Sequence, residues 1–270
     1  MEMRSYLNNK GTRKNSMGLA VIVVAKDGTW DSETLQGAID MVLADNAHRK
    51  TKPYISLIGI EPNKTLLTWN AKASDKDEHG KEIGTVKTAT VDVGSDYFCA
   101  NGVTFQNTIV AKPGVEGMKV VALRITGDRA VFYNVRFLGY QDTLYDHEGV
   151  HYYYNCFIEG AVDFIFGNGR SLFENYTLNS IAQGIGFIAA SHRNLVEDNT
   201  GVLFLELENH WNWKNILGKS MGTVMFGEFQ CSDEGSYTTE RVQWSKLFTQ
   251  EEIHPFEDKL YIDEQEWLGL

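Results

Sequence analysis

Two aspartates, Asp142 and Asp163, end two look-alike segments, Asn134-Val-Arg-Phe-Leu-Gly-Tyr-Gln-Asp142 and Asn155-Cys-Phe-Ile-Glu-Gly-Ala-Val-Asp163. Asn, Gly and Asp all recur 21 residues apart, and a third partial copy begins at Asn175, 20 residues after Asn155. Short alternating strands repeated at about 20 residues read as a solenoid in which each repeat is one coil. Equivalent positions on neighbouring coils then lie about 4.7–4.9 Å apart, the spacing of adjacent strands. Asp142 and Asp163 are therefore expected as stacked carboxylates, and two such groups cannot both ionise cheaply. One should keep a proton while the other stays charged, which puts an acid and a nucleophile in one place. An isolated Asp after a strand is an ordinary turn residue; the shared register of three residue types is what favours chemistry here.

The elements that must hold this pair follow the same periodicity. Leu19 to Ala25 is a buried-strand run, after which Asp31 or Ser32 is placed to cap a helix with Leu35, Ala38, Ile39, Val42 and Leu43 on one face. That helix is expected to plug the open end of the solenoid, since an uncovered last coil exposes a sheet edge and an apolar interior. Further strands are expected at Tyr54–Gly59, Val86–Val93, Tyr97–Phe105, Gly186–Ala190 and Gly201–Leu205, with a polar loop over residues 70–84. Asn134, Asn155 and Asn175 are expected to stack as an amide ladder inside the turns. The tail from Thr238 onward, with Trp244 and Trp267, should pack along the outside. The chain is thus read as all-β, a parallel solenoid, with a flexible polar segment at residues 1–18 and a single domain at 19–270.

Composition narrows the classes of function. The 270 residues are 43% hydrophobic and carry a net charge of -11, enough apolar material for a core and the wrong sign for a phosphate backbone. A nucleic-acid partner is excluded on this ground, and a densely ionised polyacid is disfavoured unless its acids are masked as esters. No apolar run approaches a membrane span, and the opening residues lack a signal-type hydrophobic stretch. Cys99, Cys156 and Cys231 have no metal-ligand spacing and read as free thiols, two of them among strand residues. His147, His151 and His192 likewise form no metal set with carboxylates, so neither a metal nor a cofactor is expected.

At Gly139-Tyr-Gln-Asp-Thr-Leu-Tyr145 and Val162-Asp-Phe-Ile-Phe-Gly167 the chain closely resembles the pectin methylesterases (pectinesterases), carbohydrate esterases that remove methyl groups from the galacturonate units of pectin. The likeness runs from about Val21 to Leu268 and looks most like the plant enzymes. It implies a right-handed parallel β-helix, with Asp163 as the nucleophile that forms an acyl-enzyme. Asp142 would be the acid that protonates departing methoxide and then activates water, and Gln141 a donor to the oxyanion. It further implies pectin as partner, a proteinaceous inhibitor as a candidate second one, a monomer, and an extracellular, cell-wall location. Lys119, Phe164 and Tyr140 are the candidate substrate contacts.

Three departures from the family pattern bear on activity. Lys119 stands where the family carries an oxyanion-hole Gln; its ammonium has charge but not the geometry of a positioned amide. A Gly-x-Tyr-x-Glu strand is missing between the first helix and Tyr54. The Leu-Gly-Arg-x-Trp strand, whose Arg holds the nucleophile, is not recognisable, and Leu217-Gly-Lys219 reads as a loop. Weak activity is the expectation. The rival readings are a catalytically dead, pectin-binding or truncated form, and a β-helical glycosidase, since paired carboxylates also serve glycoside hydrolysis.

Overall fold

Alternating inward and outward residues along short strands, joined by tight corners, wind the chain into a right-handed parallel β-helix. The computed structural model describes residues 2–5, 13–14, 20–41, 53–110, 115–183, 186–191, 200–207, 227–229, 246–254 and 259–268. At the N-terminal end lie β1 (Glu2–Ser5), β2 (Arg13–Lys14), β3 (Ala20–Val23) and α1 (Leu35–Met41). The coils then contribute to three faces. Face one holds β4 (Ser56–Ile58), β7 (Cys99–Asn101), β10 (Ala130–Tyr133), β13 (Val150–Tyr154), the first part of β16 (Arg170–Ser180) and β18 (Gly201–Leu207). Face two holds β5 (Leu66–Trp69), β8 (Thr104–Asn107), β11 (Arg136–Leu138), β14 (Phe157–Gly160) and the second part of β16. Face three holds β6 (Val91–Val93), β9 (Leu123–Ile125), β12 (Leu144–Asp146), β15 (Ile165–Gly167) and β17 (Ala189–Ser191).

The 20–21-residue period is the pitch of this coil: Ala130 pairs with His151 and Val150 with Arg170, all in parallel. Inward residues of successive coils stack on like partners. Phe132 lies 4.7 Å from Tyr153, and Tyr153 lies 4.2 Å from Phe173, with near-parallel rings. Asn134, Asn155 and Asn175 take the first corner, with φ of 52°, 52° and 47°, a left-handed backbone that Asn tolerates better than most residues. Asn155 is exposed, so the expected interior amide ladder is not what binds the corner. Backbone bonds do, with Asn134 N–H donating to the Tyr154 carbonyl (3.0 Å) and Asn155 N–H to the Glu174 carbonyl (3.2 Å).

Several expectations need correction. The helix is capped by Thr34, whose Oγ1 accepts from the Gly37 N–H at 3.0 Å, because Asp31 is turned to the Val23 N–H (2.8 Å) and Ser32, two residues too early, accepts from the Thr34 N–H instead (3.3 Å). Its end-plug role holds: Ala38 is fully buried, and Leu35 and Ile39 pack on the core; Val42 and Leu43 lie outside the described residues. The Val86–Val93 strand shrinks to β6, preceded by a 3-10 turn at Thr85–Thr88. Buried Thr88 holds that turn, donating to the Thr85 carbonyl (2.7 Å) and accepting from the Val121 N–H (3.0 Å). The polar segment expected to be flexible supplies β1, which runs antiparallel to both β3 and β4 and fills the place between them. The tail packs outside face one as expected, with Ile262 and Trp267 over Tyr152 and Leu172 and the Arg129 guanidinium 3.0 Å from Glu266; Trp244, Cys231 and His192 lie outside the described residues. Cys99 and Cys156 are free thiols.

A buried polar cluster sits inside the coil where face three turns back to face one. Asp146 is inward-facing, at the register position that Ile125 fills one coil earlier, and His151 stands where the earlier coil has Ala130. The Asp146 carboxylate takes the His151 Nδ1 and the Ser171 hydroxyl, and the Tyr153 hydroxyl approaches it at 3.4 Å. His151 Nε2 meets the Gly127 carbonyl at 2.9 Å. Both imidazole nitrogens are thus committed and the aspartate, not the histidine, contacts the serine, so the cluster is no nucleophilic triad. Burial alone would push the His151 pKa down, but the Asp146 carboxylate and the Gly127 carbonyl outweigh it and hold the pKa above its ordinary value.

Candidate active site

Asp142 and Asp163 both lie in the corner between face two and face three, and there the chain must reverse within a few residues. The recurring glycine makes that possible through its lack of a side chain. A Cβ on Gly160 would sit 2.1 Å from the Phe164 Cβ, and one on Gly139 would sit 2.6 Å from the Thr143 Oγ1. The aspartates themselves carry left-handed backbone, φ 64° at Asp142 and 48° at Asp163, a conformation that costs a non-glycine residue about 1–2 kcal/mol and clusters at functional sites. Gln141 bridges Val162 in parallel register, and the Asp142 N–H donates to the Val162 carbonyl at 3.0 Å. The pair therefore sits on adjacent coils at one strand spacing, about 4.8 Å.

Their surroundings are unequal. Asp142 is 3% exposed while Asp163 is half-buried. Burial is the largest influence on Asp142 and pushes its carboxyl up to about 6; the neighbouring Asp163 charge pushes the same way. The Lys119 ammonium and hydrogen bonds from Lys119 and Gln141 pull it back down. The 21-residue spacing alone pointed to repulsion between like charges as the cause of the raised acid. Desolvation comes first instead: Asp142 is 3% exposed, and its neighbours in sequence, Thr143 and Leu144, and Val120 and Val121 of the preceding coil are fully buried.

The other candidates divide. Lys119 lies one coil earlier, its Nζ 3.5 Å from Asp142 Oδ2, with 48% of its side chain exposed. Gln141 is half-buried on the same corner as the acid it donates to. Tyr140 is half-buried, and its carbonyl accepts from the Ala161 N–H at 2.6 Å, which ties the two corners together. Phe164 is corrected: it has no exposed surface and belongs to the core cluster, because the left-handed Asp163 breaks the strand alternation and turns both Phe164 and Ile165 inward. The surface aromatics are its neighbours. Tyr145 and Phe166 share a register position on face three and stack with centroids 4.2 Å apart. Beside them the Arg124 guanidinium lies 5.6 Å from the Tyr145 ring and donates to both Asp92 oxygens at 3.0 and 3.1 Å. Sequence reasoning left Arg124 without a role, yet the signal was present: Tyr145 and Phe166 recur at the same 21-residue interval as the aspartates. The stretch around Leu217-Gly-Lys219 lies outside the described residues.

This corner offers a buried carboxyl with a raised pKa, a second carboxylate one strand away, an amide and an ammonium beside them, and a stacked aromatic pair on the adjoining face. The longer excursions that begin at residues 70 and 108, in the two coils before, leave from the same edge. Such a set suits attack on an acyl carbon with protonation of the leaving group.

Comparison with known proteins identifies the family and the fold. A family model described as Pectinesterase matches residues 21–210. Pectinesterase QRT1 of Arabidopsis thaliana is 41% identical over 300 aligned residues, covering 93% of this chain and 79% of the relative. Pectinesterase 31 of the same plant is 33% identical over 93% of this chain and 95% of its own length. Among solved structures, pectin methylesterase from carrot superposes with a TM-score of 0.76 at 23% identity, covering 97% of each chain. A pectin methylesterase solved in complex with a hexasaccharide superposes at 0.73 and 19% identity over 94% of this chain and 98% of that one. The structural likenesses bear on the fold.

Proposed function

The chain belongs to the pectinesterase family, and we propose that it hydrolyses methyl esters on the galacturonate units of pectin through an aspartate nucleophile. An Asp163 carboxylate oxygen attacks the ester carbonyl carbon, and the carbonyl oxygen takes up negative charge that the Gln141 amide meets. The bond from carbon to the methoxy oxygen then breaks while Asp142 gives its proton to that oxygen, releasing methanol and leaving an acyl-enzyme anhydride on Asp163. Asp142, now ionised, draws a proton from water; the hydroxide oxygen bonds to the acyl carbon and Asp163 departs as carboxylate. The galacturonic acid group is released and gives its own proton to solvent, and both aspartates return to their starting states.

The observation that carries this reading is the unequal pair. Asp142 is buried and pushed up to about 6, so in mildly acidic medium it holds the proton that methoxide needs, one strand from a half-buried second carboxylate. The stacked Tyr145 and Phe166 beside it suit the flat faces of sugar rings, and Tyr140 lines the same corner. The setting proposed is the cell wall, where methylated pectin lies. Turnover is expected to be weak, since no Leu-Gly-Arg-x-Trp sequence follows β18 to hold the nucleophile.

Methanol released from highly methylated pectin, with no new reducing ends, is the result expected. New reducing ends without methanol would instead assign the carboxylate pair to glycoside cleavage, and the absence of both would leave a pectin-binding protein.

A further inference from the structure

Lys119 is the feature of the site that its register alone does not explain. The Val120 N–H donates to the Gln141 carbonyl at 2.9 Å, so Lys119 stands level with Gln141, one coil before the acid. Its backbone is held by the loop above, the Lys119 carbonyl accepting from the Ala73 N–H at 3.1 Å. The side chain reaches from a half-solvated position to within 3.5 Å of Asp142 Oδ2, on a carboxyl only 5% exposed. A solvated cation is thereby set against a desolvated acid. We propose that Lys119 is a positioning residue that acts through Asp142, holding the ionised form of that carboxyl in place and so setting the pH at which the site passes from acid to base.

Four influences meet at Asp142. Burial favours the protonated carboxyl, and so does Asp163 from the following coil; Lys119 from the preceding coil and the Gln141 amide on the same corner favour the ionised one. The cycle needs both forms in turn. Once methoxide has taken its proton, Asp142 is left ionised in a desolvated corner and must stay so until water reaches the acyl carbon. An ammonium beside it favours that interval, and because the ammonium is half in water its grip depends on ionic strength. The place of Lys119 in turnover rests on the esterase reading above; its effect on Asp142 rests on geometry alone.

The test is the titration of Asp142 in the full chain, followed by the carboxyl carbon of 13C-labelled aspartate and assigned with Asp142→Asn. It is run on the wild type, Lys119→Gln and Lys119→Arg, beside the pH profile of kcat/KM for methanol release. In Lys119→Gln the Asp142 midpoint should rise by about one pH unit, the effect of one half-solvated charge at this distance. The alkaline limb of kcat/KM should move up with it, Lys119→Arg should restore both, and high salt should carry the wild type part of the way. A midpoint equal in wild type and Lys119→Gln overturns the inference, even if the variant loses activity evenly across pH. A midpoint that moves in a chain releasing no methanol upholds this inference and removes the esterase reading; methanol release with an unmoved midpoint does the reverse.

Discussion

Replacing His151 by Ala tests how the interior of the coil is held. The imidazole is fully buried against the Asp146 carboxylate, so truncation leaves that carboxylate inside the coil with, among the described residues, only the Ser171 and Tyr153 hydroxyls as side-chain donors. Removing one partner of a buried charged pair costs about 3–5 kcal/mol. At roughly 2–4 °C per kcal/mol for a chain of this size, the melting temperature should fall by roughly 6–20 °C. The preceding coil supplies the control, since it carries Ile125 and Ala130 at these two positions. Asp146→Ile together with His151→Ala copies it, removing the charge with its partner and leaving two hydroxyls without an acceptor at about 1 kcal/mol each. The double variant should therefore be more stable than His151→Ala alone. The pH dependence has a definite sign. The folded His151 pKa lies above its unfolded value, so its contribution is complete below about 6.5 and is lost as pH rises through the folded pKa. Thermal melts followed by circular dichroism across this range should show wild-type stability declining on the alkaline side and the double variant without that decline. A His151→Ala melt within 2 °C of wild type (roughly 1 kcal/mol or less), or a double variant less stable than the single, would refute this account.

Other perturbations separate chemistry from packing. Asp163→Asn keeps the size and tolerates the left-handed backbone, so the protein should fold normally while methanol release falls by roughly 10³-fold or more; a variant keeping a tenth of wild-type rate (about 1.4 kcal/mol of barrier) would remove Asp163 as nucleophile. Below about pH 6 Asp142 holds its proton, so kcat/KM for wild type should fall as pH rises past that point. Asp142→Asn should abolish that limb and cost about 10²–10⁴-fold. Phe166→Ala removes half of the half-buried stack with Tyr145 and should raise KM for methylated oligogalacturonides about 2- to 10-fold with kcat nearly unchanged; an unchanged KM would take the stack out of the substrate path. Gly160→Ala drives a Cβ to 2.1 Å from the Phe164 Cβ and should cost about 3 kcal/mol or more. Gly80→Ala, with nothing within 4 Å, should cost only the left-handed backbone penalty of about 1–2 kcal/mol in the same melts.

What could be read in advance follows one physical rule. The interval between Asp142 and Asp163 is a property of the chain, and once it equals the coil pitch the two residues must be neighbours, so their pairing was legible. The same holds for Tyr145 and Phe166, for the stacked Phe132, Tyr153 and Phe173, and for the glycines that let the corner close. Alternation of apolar residues was enough to place most strands, because inward and outward positions differ in burial. It failed at Val86–Thr88, where Thr88 and Asn107 bond the backbone into a turn, and at Phe164, where a left-handed aspartate resets which way the next residue points.

Residue order by itself thus determined that two carboxylates stand one coil apart in a parallel β-helix. Only the tertiary structure decided which of them is buried and which is half in solvent. Desolvation depends on how many atoms from other coils cover a group, and charge pairing depends on distances between side chains far apart in sequence; neither is written in spacing. Burial beneath the preceding coil raises Asp142, and Lys119, 23 residues before it, reaches across that coil to moderate the effect.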